Sequence, residues 1–180
     1  SSRWVKKQLE TVQPTVKSLV PQSTVIVADT TFWGRHYGVT VFRSPGLQQN
    51  LWWDAVALET PDIYRRGYEE LLKRGWNITA AVIDGRKGLA KVWQGLPVQI
   101  CQFHQMKTVT GYLTRKPQTL AGQELRSITL SLTRSSEQDF TRLLVEWRQY
   151  WNVFLSERTP CLYCQPNRWP YTHRKLRAAY

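Results

Sequence analysis

Two aspartates, each closing an apolar run, are the residues of this chain best placed to do chemistry. One ends Thr24-Val25-Ile26-Val27-Ala28-Asp29-Thr30-Thr31, the other sits in Val82-Ile83-Asp84-Gly85-Arg86-Lys87-Gly88-Leu89. Carboxylates brought side by side repel each other, and a cation between them removes that cost. Hard oxygen donors suit Mg²⁺ or Mn²⁺. Ions paired roughly 3.5–4 Å apart activate a water or a 3′-hydroxyl and steady the leaving oxygen of a phosphoryl transfer. Asp29 and Asp84 are therefore the candidate metal ligands and catalytic residues. Either alone reads more simply as a cap or turn residue, and Asp84-Gly85 is an ordinary turn dipeptide. Their value lies in occurring twice, at strand ends that the topology makes neighbours.

The elements that would make them neighbours follow from the pattern. Residues 24–28 are a continuous β-branched and apolar run, which predicts a central strand buried on both faces. Gly38–Arg43 and Leu51–Leu58 complete an antiparallel meander, turned at Ser44-Pro45-Gly46. Pro61 opens a helix through Arg74, stopped by Gly75. A fourth strand at Ile78–Ile83, a short helix at Lys87–Trp93 and a fifth strand at Val98–Cys101 come next. The order is β-β-β-α-β-α-β-α. The right-handed crossover rule sets the fourth strand parallel to the first and beside it, with both aspartates at the carboxyl ends where α/β sheets keep their sites. From His104 the pattern is helical, broken at Lys116-Pro117. Ser135-Ser136-Glu137-Gln138-Asp139 caps a further helix through Phe154, and Arg158–Tyr180 has no clear period.

The 180 residues carry 25 Lys plus Arg against 13 Asp plus Glu, a formal charge of +12. That excess points to a polyanionic partner and to salt-sensitive binding, and nine Trp and eight Tyr interleave with the basic residues. Three cysteines, an odd number, argue against a disulfide framework. No run is long and apolar enough to span a membrane, and the start lacks a signal-peptide pattern. Ser1–Glu10 reads either as the recognition helix of a helix-turn-helix whose first helix lies upstream or as a plain surface helix. Its abrupt start predicts that the chain is a fragment.

Asp84-Gly85-Arg86-Lys87-Gly88-Leu89, followed by Pro97 and Gln99-Ile100-Cys101-Gln102-Phe103-His104, resembles the DDE transposases of bacterial insertion sequences related to the eukaryotic Mutator elements. In that family the second catalytic aspartate precedes a Cys-x-x-His pair after the fifth strand, and Ala28-Asp29-Thr30-Thr31 stands where the first aspartate belongs. The likeness covers roughly residues 24–110. It implies a ribonuclease H-like mixed sheet followed by a helical insertion, and Mg²⁺ (or Mn²⁺) held by Asp29 and Asp84. It also implies cleavage and joining of double-stranded DNA at transposon ends and target, homo-oligomers when full length, and a bacterial, cytoplasmic, nucleoid-associated setting. The domains it suggests are 1–22, the end of a DNA-binding region and linker; 23–110, the catalytic core; and 111–180, an incomplete insertion. The family's third acid is a glutamate on a helix after the insertion. Glu124, Glu137, Glu146 and Glu157 lack its expected neighbours, so that acid is expected beyond Tyr180. The alternative is a non-catalytic DNA-binding or regulatory module derived from a transposase; a nuclease of the same fold is a third, disfavoured by the helical segment.

Other residues carry weaker signals. Cys101 and His104 could join Cys161 and Cys164 around zinc, but the spacing is far from that of a compact ribbon. A positional role near the acids is the simpler expectation. Arg86 and Lys87, at a helix start, are the better candidate phosphate contacts; Arg35 and His36, just after the first aspartate strand, could also meet a phosphate, though such residues are more often simply exposed in a turn. Of Trp52 and Trp53, which alternate on a strand, one is expected in the core. Arg168, Arg174, Lys175 and Arg177 form a basic tail, either a backbone-contact surface or a solvated one.

Overall fold

The structure is a computed structural model that describes residues 2–11, 19–160 and 169–180. The chain divides into two compact units, Ser1–Cys101 and Gln102–Tyr180. The first begins with α1 (Ser2–Thr11) and holds five strands: β1 (Ser23–Phe32), β2 (Gly38–Ser44), β3 (Gln49–Val56), β4 (Asn77–Ile83) and β5 (Val98–Ile100). Helix α2 (Pro61–Lys73) links β3 to β4, and a 3₁₀ turn, Leu89–Trp93, links β4 to β5. The sheet order is β3-β2-β1-β4-β5. β2 is antiparallel to both its neighbours, while β1–β4 and β4–β5 are parallel. This five-stranded mixed sheet with flanking helices is the ribonuclease H-like α/β arrangement that the family resemblance implied.

Side-chain alternation gives the sheet two unlike faces. Ile26 and Ala28 of β1, Phe42 of β2, Trp52 of β3, and Ile78, Ala81 and Ile83 of β4 are buried with Tyr64 and Leu71 of α2 and with Leu89, Val92 and Trp93. On the other face Val27 is half-buried and Val25 is 39% exposed. The apolar run 24–28 therefore does not mark a strand buried on both faces within this unit: its β-branched residues suit the pleat on either side, and continuity alone does not report cover. Trp52 is 7% and Trp53 40% exposed, so the former is the core residue.

Helix α2 lies unusually near the sheet. A Cβ on Gly67 would meet the Trp52 ring at 2.7 and 2.8 Å and the Phe42 ring at 3.0 Å. Phe42 is the hub, with ring centroids 5.0 Å from Trp52, 5.7 Å from Tyr64 and 5.4 Å from Trp93. Pro61 at the helix start costs no hydrogen bond, because the first-turn N–H groups have no partner inside the helix.

The second unit is helical: α3 (Gln102–Leu113), α4 (Leu120–Ser131), α5 (Glu137–Tyr150), α6 (Asn152–Ser156) and α7 (Arg174–Ala179). Its core joins Leu113, Ala121, Leu125, Trp147, Leu155, Leu176 and Ala179. The indole of Trp147 donates to the Ala121 carbonyl at 3.0 Å, which meets the polar requirement of that buried ring. Ser136 caps α5 by accepting from the Asp139 amide at 3.1 Å. The helix predicted through Phe154 breaks at Trp151, whose backbone (φ −89°, ψ 9°) leaves the α region. The break separates α5 from α6.

No helix among the described residues is long and apolar enough to cross a membrane. Cys161, Cys164 and Arg168 lie outside the described residues, as does most of the expected linker.

The close approach at Gly67 makes a direct prediction. Gly67→Ala forces a methyl group onto two ring systems that are themselves packed, and destabilises the chain by about 1–3 kcal/mol. Urea unfolding followed by Trp fluorescence measures it. A variant as stable as the parent would mean that α2 shifts freely on the sheet.

Candidate functional site

The parallel ladder between β1 and β4 ends with Ala28 opposite Ile83. Asp29 is the next residue of β1 and Asp84 the first residue past β4. The two aspartates therefore stand at the same level, where the parallel pairing stops, but Asp29 is not at the strand end that the sequence predicts: β1 runs on to Phe32, still paired with β2. Ala28 and Ile83 are both buried in the α2-covered core, so alternation within β1 directs Asp29 to the opposite, less covered face. Both are half-buried. Two carboxylates in this register are the candidate oxygen donors for a divalent cation. Among the described residues no group of three or more His, Cys, Asp or Glu side chains gathers in a metal-holding arrangement.

Behind the pair stands a hydrogen-bonded chain that sequence reasoning missed. The Tyr64 hydroxyl lies 2.5 Å from Glu59 Oε1 and 3.0 Å from Thr30 Oγ1, and Thr30 Oγ1 lies 2.8 Å from Thr40 Oγ1. An ionised carboxylate only accepts, so Tyr64 spends its proton on Glu59. Thr30 then donates to Tyr64, and Thr40 donates to Thr30. The direction of every bond follows from the charge at one end. Burial first, and the Glu59 bond next, hold the Tyr64 phenol far above its ordinary range; the Asp29 charge adds to the shift.

Glu59 itself has a side chain only 5% exposed, with Arg86 Nη2 3.2 Å from its Oε2. Arg86 Nη1 also donates to the Glu59 carbonyl at 3.3 Å. A buried carboxylate needs such compensation. The consequence is mechanical: Thr30 is the neighbour of Asp29, and Arg86 lies two residues past Asp84. The chain Thr40–Thr30–Tyr64–Glu59–Arg86 ties the end of β1 to the loop after β4.

The remaining candidates separate. Arg86 is half-exposed and bound to Glu59, while Lys87 is exposed. The helix expected at Lys87 is the five-residue 3₁₀ turn from Leu89, entered through Gly88 at φ +92°. The argument from a helix N-terminus loses its basis there. Arg35 and His36 are exposed on the β1–β2 connection. Cys101 closes β5, its amide donating to the Ile83 carbonyl at 2.8 Å. His104 belongs to the second unit, in the first turn of α3, with its ring 5.5 Å from that of Phe103.

Of the four glutamates weighed as a third acid, three are engaged within the second unit. Glu124 accepts from the Trp151 indole at 2.7 Å, Glu146 pairs with Arg142 at 3.3 Å, and Glu157 pairs with His173 at 3.0 Å. Glu137 sits in the first turn of α5. Glu59 was missed because it lies between a strand and a helix, with no motif to mark it. Its position just before the proline-opened helix was the available signal.

No family model matches the chain, and no curated protein matches it. Among solved structures it is similar to a chain of the cryo-EM structure of the simian T-cell lymphotropic virus intasome in complex with PP2A regulatory subunit B56 gamma. The TM-score is 0.36 with 8% sequence identity, over 86% of this chain and 60% of that one. This chain thus spans less than two thirds of that chain's length. The ribonuclease H-like assignment rests on the strand order and directions themselves.

The buried chain is open to test by substitution. Tyr64→Phe leaves Glu59 and Thr30 each short of a partner and costs about 1–3 kcal/mol. Arg86→Met removes the countercharge of a buried carboxylate and costs a similar amount, whereas Glu59→Gln with Arg86→Met together costs less than the two singles added. Thermal melts of the four proteins check this. Strict additivity would show that Glu59 and Arg86 do not interact.

Proposed function

We propose that this chain is the ribonuclease H-like part of a DNA transposase of the DDE type, in which Asp29 and Asp84 hold divalent cations for DNA strand cleavage and strand transfer. The observation that carries the reading is the register: both aspartates stand one residue past the Ala28–Ile83 pair on adjacent parallel strands. Support comes from the block Asp84-Gly85-Arg86-Lys87-Gly88-Leu89 with Cys101 and His104, and from the +12 charge, which suits a phosphodiester substrate.

Mg²⁺ or Mn²⁺ would supply the Lewis acid that activates a water, and then a freed 3′-hydroxyl, for in-line attack on phosphorus. The work of the chain's own residues is placement. Asp29 offers its oxygens from within β1 and Asp84 from the residue directly after β4, which limits how far they can drift. Tyr64 and Glu59 fix Thr30 and Arg86 on either side of them. Proximity of this kind is where a phosphoryl-transfer enzyme gains most, because little covalent chemistry falls to the protein.

The reading is tested by titrating the 180-residue chain with Mn²⁺ and following loss of the free aquo-ion EPR signal. Saturable binding is expected, and Asp29→Asn or Asp84→Asn should each weaken it at least tenfold with the far-UV CD spectrum unchanged. Absence of saturable binding, or binding indifferent to both substitutions, would remove the metal site and favour a DNA-binding module without catalysis.

A further inference from the structure

After Glu157 the chain carries five basic residues and no acidic one. Two of them share a single aromatic ring. The guanidinium carbon of Arg158 lies 4.1 Å, and that of Arg177 3.8 Å, from the ring centroid of Tyr171. The segments that carry them are brought together by the Arg158–Tyr171 bridge and by Thr172, whose amide donates to the Glu157 carbonyl at 2.9 Å. The two charges are therefore nearer to each other than the Debye length of physiological salt, about 8 Å, and feel each other almost unscreened.

Among the described residues neither guanidinium enters an ion pair. Arg158 donates through Nη1 to the Trp169 carbonyl, and Arg177 through Nη1 to the Leu155 carbonyl, each at 2.9 Å. A guanidinium has five N–H donors, so each side chain is anchored by one and keeps the others for another acceptor. The one carboxylate of this segment, Glu157, is bound to His173, whose ring stacks on Phe154 at 3.7 Å. Arg174 and Lys175, both exposed on α7, add charge of the same sign beside the pair. Tyr171 holds the two forks against its ring through cation–π contact, which reduces the freedom they would lose on binding.

We propose that Arg158 and Arg177, stacked on Tyr171, form a site for backbone phosphates of duplex DNA. Two like charges held together by a neutral ring are destabilising until an anion enters, and planar forks match phosphate oxygens in bidentate fashion. The site stands entirely within the second unit. It shares with the proposed function only the DNA partner, and its test needs no metal.

The experiment is fluorescence anisotropy of a labelled mixed-sequence duplex against the 180-residue chain, in EDTA, across a KCl series. Each phosphate contact contributes about 0.9 to the slope of log affinity against log salt. Arg158→Gln with Arg177→Gln keeps a donor for each carbonyl and removes both charges; the slope should become shallower by nearly two. Each single substitution should lower it by about 0.9, so the test survives a double variant that fails to fold. Arg115→Gln with Lys116→Gln removes the same charge from the α3–α4 connection and should change the slope by clearly less. A slope unchanged by the stacked pair, or changed equally by the control pair, would overturn the site in favour of diffuse charge. Because EDTA strips metal, a failed Mn²⁺ titration leaves this result intact, and the reverse also holds.

Discussion

The close contact between α2 and the sheet at Gly67 sets the rest of the first unit. With no side chain at that position the helix comes down onto Trp52 and Phe42, and only at that height does Tyr64, one turn earlier, reach across to Thr30. Its hydroxyl is then buried with one proton and two neighbours, and Glu59 resolves the conflict by accepting it. Glu59, buried in turn, requires Arg86. A packing constraint in the core is passed outward through four hydrogen-bonding groups to the loop behind Asp84. The aspartate pair depends on this sequence of necessities as much as on the strands that carry it.

The sheet was legible in the amino-acid sequence because its signals are local. β-branched runs, Gly38, Ser44-Pro45-Gly46 and the Pro61–Gly75 bracket each mark an element without reference to any other. The crossover rule then turns element order into adjacency, which is how Asp29 and Asp84 could be paired before any geometry was known. What stayed hidden depends on distance in space. Tyr64 stands only five positions from Glu59, but no motif announces that its hydroxyl and the distant guanidinium of Arg86 will converge there. Tyr171 likewise gives no local sign that Arg158 and Arg177, nineteen positions apart in sequence, will stack on one ring. The break at Trp151 was missed for a different reason: the apolar spacing from Phe140 to Trp151 continues across it, and periodicity does not register one residue leaving the α region.

The positive charge is not spread evenly in its chemistry. In the first unit Arg65, Arg66, Arg74 and Arg86 are each within ion-pair reach of a carboxylate: Asp62, Asp54, Glu70 and Glu59. Most of these pairs are exposed and contribute little to stability, yet they lower the field that a distant polyanion would feel. The second unit has fewer acids to spend. Arg142 takes both Asp139 and Glu146, and Ser136 first and Arg142 next hold the Asp139 carboxyl below its ordinary range.

The same accounting changes which residue of the Asp84 loop can meet a phosphate. Sequence position alone makes Arg86 and Lys87 equal candidates, one and two residues past Gly85. Arg86, however, is the countercharge of a carboxylate almost sealed from water. Moving it to a phosphate would leave Glu59 buried with only the Tyr64 bond, a loss that a solvated surface contact does not recover. Lys87 is exposed and enters no ion pair among the described residues, so it turns toward an anion without disturbing the core. Arg86 belongs to the framework behind the aspartates, which leaves Lys87 as the phosphate contact to propose for this loop.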